Sequence, residues 1–139
     1  MTTTEEALEG SSPLAKKLSA SGPYRSVDQL IAQMRTVLPA LTEEEKVATL
    51  NAHPRIGEDP RRLSARSLEE QGADQLPELS RLNAEYERRF GFRFVVFVNG
   101  RPQAEIVKVL QRRLRRSREE EMEEGLRAIV AIAEDRLRA

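Results

Sequence analysis

Cysteine is missing from all 139 residues, and histidine occurs once, as His53. Without thiols there can be no disulfide scaffold, thiolate zinc site or cysteine nucleophile. With a single imidazole, any metal site would have to be built from oxygen ligands. Charge of one sign is lacking too: 23 basic and 23 acidic side chains cancel. No global field therefore draws the chain to nucleic acid or to an anionic membrane. No apolar run is long enough to span a bilayer, and the start MTTTEEALEG is acidic where a secretory signal would be apolar. The terminal RLRA is not a peroxisomal tripeptide. These absences together predict a soluble cytoplasmic protein. Gly-rich phosphate loops, nucleophile elbows and metal boxes are also absent from the sequence, so no cofactor and no metal are expected.

What is present is mostly helix. A chain of this length suits one domain over residues 1–139, able to bury about two-thirds of its unfolded surface. SSPLAKKLSA offers Ser12 as N-cap and Pro13 as first helical residue, where the missing N–H costs nothing. SVDQLIAQMRTVL opens with a capping box at Ser26 and Gln29, places Leu30, Ile31 and Met34 on one face, and ends at Pro39. TEEEKVATLNAHP repeats the device with Thr42 and Glu45 and runs into His53, where Pro54 forces the chain out of the helix. Leu79, Leu82, Tyr86 and Phe90 recur at helical spacing before Gly91, and similar stripes continue to Leu137. The expectation is an all-α, single-domain bundle of about seven or eight helices.

FGFRFVVFVNG does not fit that pattern. Aromatic and β-branched residues crowd together and stop at Asn99-Gly100, a strong turn signal. It reads as one short extended segment near residues 92–98, a strand without a sheet, whose backbone must find partners elsewhere. Either the bundle buries it, or some of its backbone faces a ligand.

Three clusters could carry chemistry. His53 is either a capping side chain contributing little packing or, because imidazole exchanges a proton near neutral pH, an acid and base. SLEEQ reads as a capping box of Ser67 and Glu70, or as polar groups with Gln71 turned toward a ligand. QRRLRRSRE, around Arg112 to Arg118, lacks aromatic residues for base stacking and runs into EEEMEE, which suits a solvated helix end better than a nucleic-acid surface.

Taken together, AHPRIGE, SLEEQ and LNAEYERRFGFRFVVFV resemble, in this order and separation, the signatures of the 2-oxo-4-hydroxy-4-carboxy-5-ureidoimidazoline (OHCU) decarboxylases. The resemblance runs from about Ser26 to the closing helices. It departs in the first helix, where the family carries larger apolar residues, and at Glu58, where lysine is frequent. It implies a cofactor-free carboxy-lyase of urate catabolism making (S)-allantoin and carbon dioxide, with no metal. It also implies His53 as general acid and base, with Glu70 orienting it or the substrate hydroxyl. Ser67 and Gln71 would bind the ureide and Pro54 would form the pocket wall. Backbone groups of Phe94, Val95, Val96, Phe97 and Val98 would meet the substrate amides. Arg136 would pair with the carboxylate, or else lie at the surface. The implied partners are a small ureide substrate and a second copy in a homodimer, with no nucleic acid and no membrane. The other reading is an inactive binding or dimerisation module of the same fold.

Overall fold

Four helices of this protein begin where the sequence supplies a side-chain acceptor. The computed structural model describes residues 7–9, 12–55 and 77–139. Helix α1, Pro13–Ser21, starts after Ser12, whose Oγ accepts from the Ala15 N–H at 3.1 Å. Helix α2, Val27–Val37, starts after Ser26, whose Oγ accepts from Gln29 N–H at 3.1 Å. Gln29 itself reaches back past the cap to the Arg25 N–H, so the expected box closes one residue early. Leu38–Ala40 forms a 3₁₀ turn around Pro39. Helix α3, Glu43–Asn51, has the full reciprocal box, with Thr42 N–H to Glu45 at 2.9 Å and Glu45 N–H to Thr42 at 3.1 Å. Helix α4 is Pro77–Phe90, α5 is Gln103–Arg113, and the 21-residue α6 is Arg118–Arg138, capped by Ser117 with Glu120.

The all-helical expectation holds. Among the described residues there are six α-helices and the 3₁₀ turn, and the helix start expected at Ser67 lies outside them. Helix α6 packs on α2 and α3, α1 on the same two helices, and α4 on α5. Leu14, Leu18, Met34, Leu50, Leu79, Ile106, Leu110 and Ile129 are shut off from water at their junction. Each such side chain contributes about 1.5–3 kcal/mol of burial free energy. The small apolar residues of α1 suffice, because Leu14, Ala15 and Leu18 all face inward.

Gly125 lets α6 approach α3. A Cβ there would lie 2.7 Å from Leu50 Cδ2, and Leu50 is fully buried with nowhere to swing. Gly125→Ala should therefore destabilise by roughly 1–3 kcal/mol despite the better helix propensity of alanine. A urea midpoint at or above wild type would show that the contact yields.

Residues 92–98 form the expected extended segment and, among the described residues, pair with no strand. The side chains of Phe94, Val95, Val96 and Val98 are buried although neighbours in an extended chain point opposite ways. The segment is thus sandwiched between layers. Tyr86 packs edge-on to Phe94 at 5.3 Å and on Phe90 at 4.6 Å. Asn99 (φ +48°) and Gly100 (φ +74°) make the turn, closed by Arg101 N–H to Val98 C=O at 3.0 Å, and the chain enters α5 rather than a second strand.

Candidate active site

His53 follows the end of α3, its N–H donating to Leu50 C=O at 3.3 Å. It is 5 % exposed. The expectation of a helix-exit side chain with little packing is corrected here: the turn before Pro54 folds the imidazole inward, while Pro54 itself stays half-buried. The surrounding loop is held from two sides. Arg93 Nη1 donates to His53 C=O at 2.9 Å, and the Arg93 N–H donates to Asn51 Oδ1 at 2.9 Å. Arg55 grips Glu87 of α4 with Nε at 2.7 Å and Nη2 at 3.0 Å, the bidentate geometry that fixes orientation as well as distance.

Burial, and then the charge of Arg136, push the His53 imidazole down from its ordinary 6.5 to about 3. It is therefore neutral at pH 7, with one ring nitrogen unprotonated. Arg136 comes from α6 and is itself 3 % exposed, which rules out the surface reading of its charge-rich context. Its Nη1 donates to Ala7 C=O at 3.2 Å and lies 3.7 Å from Glu9. Two sequence-predicted site residues are thereby brought together: a buried imidazole and a buried guanidinium.

The extended segment answers the question of its backbone with arginines. Arg113 Nη1 donates to Val95 C=O at 3.0 Å, and just before the segment Arg118 Nε donates to Phe90 C=O, at the end of α4, at 2.9 Å. Arg101 donates through Nη2 to Phe97 C=O and through Nε to Val98 C=O at 3.1 Å. No described residue accepts from the N–H groups of Phe94, Val95, Val96, Phe97 or Val98. Ser67, Glu70 and Gln71 lie outside the described residues.

Sequence reasoning missed a buried polar cluster behind this segment. Glu121, with no exposed surface, accepts at Oε1 from Tyr86 Oη at 2.7 Å and from Arg113 Nε at 2.7 Å. Its other oxygen lies 3.3 Å from Arg116 Nη1, close enough for an ion pair but without hydrogen-bond alignment. Arg113 is 4 % exposed, so the reading of QRRLRRSRE as wholly solvated is corrected at that residue. Helical spacing held the clue: Glu121, Gly125, Ile129, Ile132 and Arg136 recur on one face of α6, with charges at both ends of an apolar stripe. Burial and the carboxylate beside it push the Tyr86 hydroxyl well above its ordinary pKa, so it stays a donor. Among the described residues no three metal-ligating side chains come together. The described grooves, beside α6 and beside Gly91, do not include His53.

Comparison with known proteins agrees over nearly the whole chain. Residues 2–138 match the sequence model of the OHCU decarboxylase family. A 2-oxo-4-hydroxy-4-carboxy-5-ureidoimidazoline decarboxylase of Haloferax volcanii is 32 % identical over 95 % of this chain and 83 % of its own. A uric acid degradation bifunctional protein of Bacillus subtilis is 32 % identical over 93 % of this chain, which spans 28 % of that longer protein. The crystal structure of an OHCU decarboxylase in the presence of (S)-allantoin superposes with a TM-score of 0.73 at 28 % identity, covering 96 % of this chain and 92 % of that one. An (S)-allantoin synthase shares the fold, with a TM-score of 0.70 at 23 % identity over 96 % of this chain and 46 % of its own.

Proposed function

The chain belongs to the OHCU decarboxylase family, and from that premise we propose that His53 is the general acid and base of its reaction. The reaction is the decarboxylation of 2-oxo-4-hydroxy-4-carboxy-5-ureidoimidazoline in urate degradation. One observation carries the residue assignment: a buried imidazole held neutral within the field of a buried arginine.

The departing carboxylate sits on a carbon beside a ring C=N. When the C–C bond breaks, its electron pair becomes the C=C bond of an enol while the imine pair moves onto the ring nitrogen, which takes up a proton from solvent, so the substrate supplies its own electron sink and needs no cofactor. Neutral His53 takes the hydroxyl proton as the enol becomes a ketone and delivers a proton to the ureido-bearing carbon. Delivery on one face gives (S)-allantoin. Arg136 is proposed to receive the carboxylate. A carboxylate beside Arg136 offsets the charge that depresses His53, raising its basicity as substrate enters. The N–H groups of Phe94 to Val98 are proposed to meet the ureido and ring amides, since the side chains of that segment are turned into the core. Glu70 is proposed to orient His53 or the substrate hydroxyl, Ser67 and Gln71 to bind the ureide, and Pro54 to form the wall.

The test generates substrate from urate with urate oxidase and the hydrolase that follows, then adds the protein. Optically active allantoin should accumulate far faster than in its absence, and the acid limb of kcat/KM should lie well below 6.5. Absence of acceleration would leave only a binding module with the same fold. An acid limb at 6.5 would contradict a base held neutral by its surroundings.

The match over residues 2–138 supports one domain, and a metabolic step of this kind is expected in the cytoplasm. No helix among the described residues is long and apolar enough to cross a membrane. A homodimer is also proposed. Between α2 and α6 lies a groove of about 600 Å³ whose apolar lining includes Leu38, Pro39, Leu126 and Val130. Its rim carries both signs, Arg35 and Lys46 against Glu123 and Glu134, which suits a second copy meeting it isologously. Light scattering through a dilution series should give a dimer mass. A fully active monomer at micromolar concentration would remove the dimer from the mechanism.

A further inference from the structure

We infer that Arg113, Glu121 and Tyr86, together with Arg101, are positioning residues that set the direction of the Val96 and Val98 amide groups. The inference rests on the reading of residues 94–98 as a substrate contact. Its starting point is the placement of one guanidinium. Arg113 is fixed on three sides: by Glu121 Oε1 at 2.7 Å, by the Phe94 ring with its centroid 4.6 Å away, and by Val95 C=O at 3.0 Å. Glu121 is fixed in turn by Tyr86 Oη at 2.7 Å. The chain of contacts joins α4, α5 and α6 to one peptide group of the segment.

A trans peptide unit is planar, with its C=O and N–H pointing opposite ways. Holding Val95 C=O toward Arg113 therefore aims the Val96 N–H to the other side. Arg101 and Arg113 line the same groove, so holding Phe97 C=O toward Arg101 aims the Val98 N–H away from that groove, to the same side as the Val96 N–H. The two arginines leave a pair of parallel donors with no acceptor among the described residues. Such a pair matches the carbonyls of a ureide or cyclic amide. A sheet would normally fix such a backbone, and the arginine frame replaces it. Stability alone gives little reason for the frame, since a buried ion pair is often no better than apolar residues of the same size.

That last point supplies the experiment. In the full-length protein, Arg113→Met with Glu121→Met removes both charges at once and keeps the volume filled. The double variant should fold. Without ligand, the amides of Val96 and Val98 should exchange with deuterium about tenfold faster than in wild type. KM should rise about tenfold, the scale of one hydrogen bond, with kcat nearly unchanged. A folded variant with unaltered exchange and KM overturns the inference. Should the double variant not fold, Arg101→Met decides instead: this side chain is only part-buried, and its loss should speed exchange at Val98 and raise KM. Arg101→Lys should restore part of both, because one ammonium can still reach a carbonyl. No change in Arg101→Met overturns the inference equally. The underlying reading is tested separately by (S)-allantoin, which should protect these amides in wild type. Loosened amides in the variants without protection by allantoin would refute the substrate contact and uphold the positioning.

Discussion

His53→Asn should lower kcat by about 10²–10⁴-fold, the range of a positioned general acid and base. Asparagine keeps a polar side chain of similar reach but cannot carry a proton between substrate atoms. The same variant should change how stability responds to acid. The folded-state pKa of His53 is depressed from 6.5 to about 3. Above 6.5 the imidazole is neutral in both states and contributes nothing. As pH falls below 6.5 the unfolded chain binds a proton that the folded chain refuses, so stability is lost until the folded pKa near 3 is reached. Between pH 7 and pH 4.5 wild type should therefore lose about 2–3 kcal/mol more than the variant. Urea titrations at the two pH values give the difference directly. Activity within tenfold of wild type would sink the catalytic role. Parallel acid losses in the two proteins would sink the electrostatic account of the site.

Glu121→Ala should cause the largest loss of stability, about 3–5 kcal/mol, from a total that is typically about 5–15 kcal/mol. Removing the carboxylate leaves the Arg113 guanidinium, 4 % exposed, without its nearest anion, and strips the Tyr86 hydroxyl of its acceptor. A charge that cannot reach water has no inexpensive alternative. Glu119→Ala, two residues away on the exposed side of α6 and outside the proposed dimer groove, is the control and should stay within about 0.5 kcal/mol. If both variants melt alike, the buried cluster is not the support described here.

Local rules made much of this fold readable from sequence. Ser12, Ser26 and Thr42 cap helices because a short side-chain oxygen next to a helical stripe has few better partners. Asn99 and Gly100 form the expected turn because both tolerate positive φ. The extended segment was visible as a break in period. What stayed hidden depends on contacts distant in sequence. Arg113 meets Val95 across 18 residues and Glu121 meets Tyr86 across 35, so an arginine run looks solvated until the helices close over it. The burial of His53 is hidden for the same reason: the proline announces where the helix stops, while the inward turn is fixed by Arg93, 40 residues on. The site residues that the resemblance supplied at Ser67, Glu70 and Gln71 remain proposals on chemical grounds.

The arginine-held segment also bears on solubility. FVVFV, residues 94–98, combines high β-propensity with no charge and no proline, the composition of a sequence that stacks into cross-β fibrils. An unpaired strand in a folded protein is an open template for another chain. Here the carbonyls a visiting strand would need, those of Val95, Phe97 and Val98, are already taken by guanidinium groups too bulky and too charged to be displaced by a neutral backbone. The side chains that would form a dry zipper are folded inward. Arg93 and Arg101, on either side, act as gatekeepers in the sequence even before folding is complete. Loss of the arginine frame would therefore turn this buried segment into the stretch from which aggregates of this protein begin.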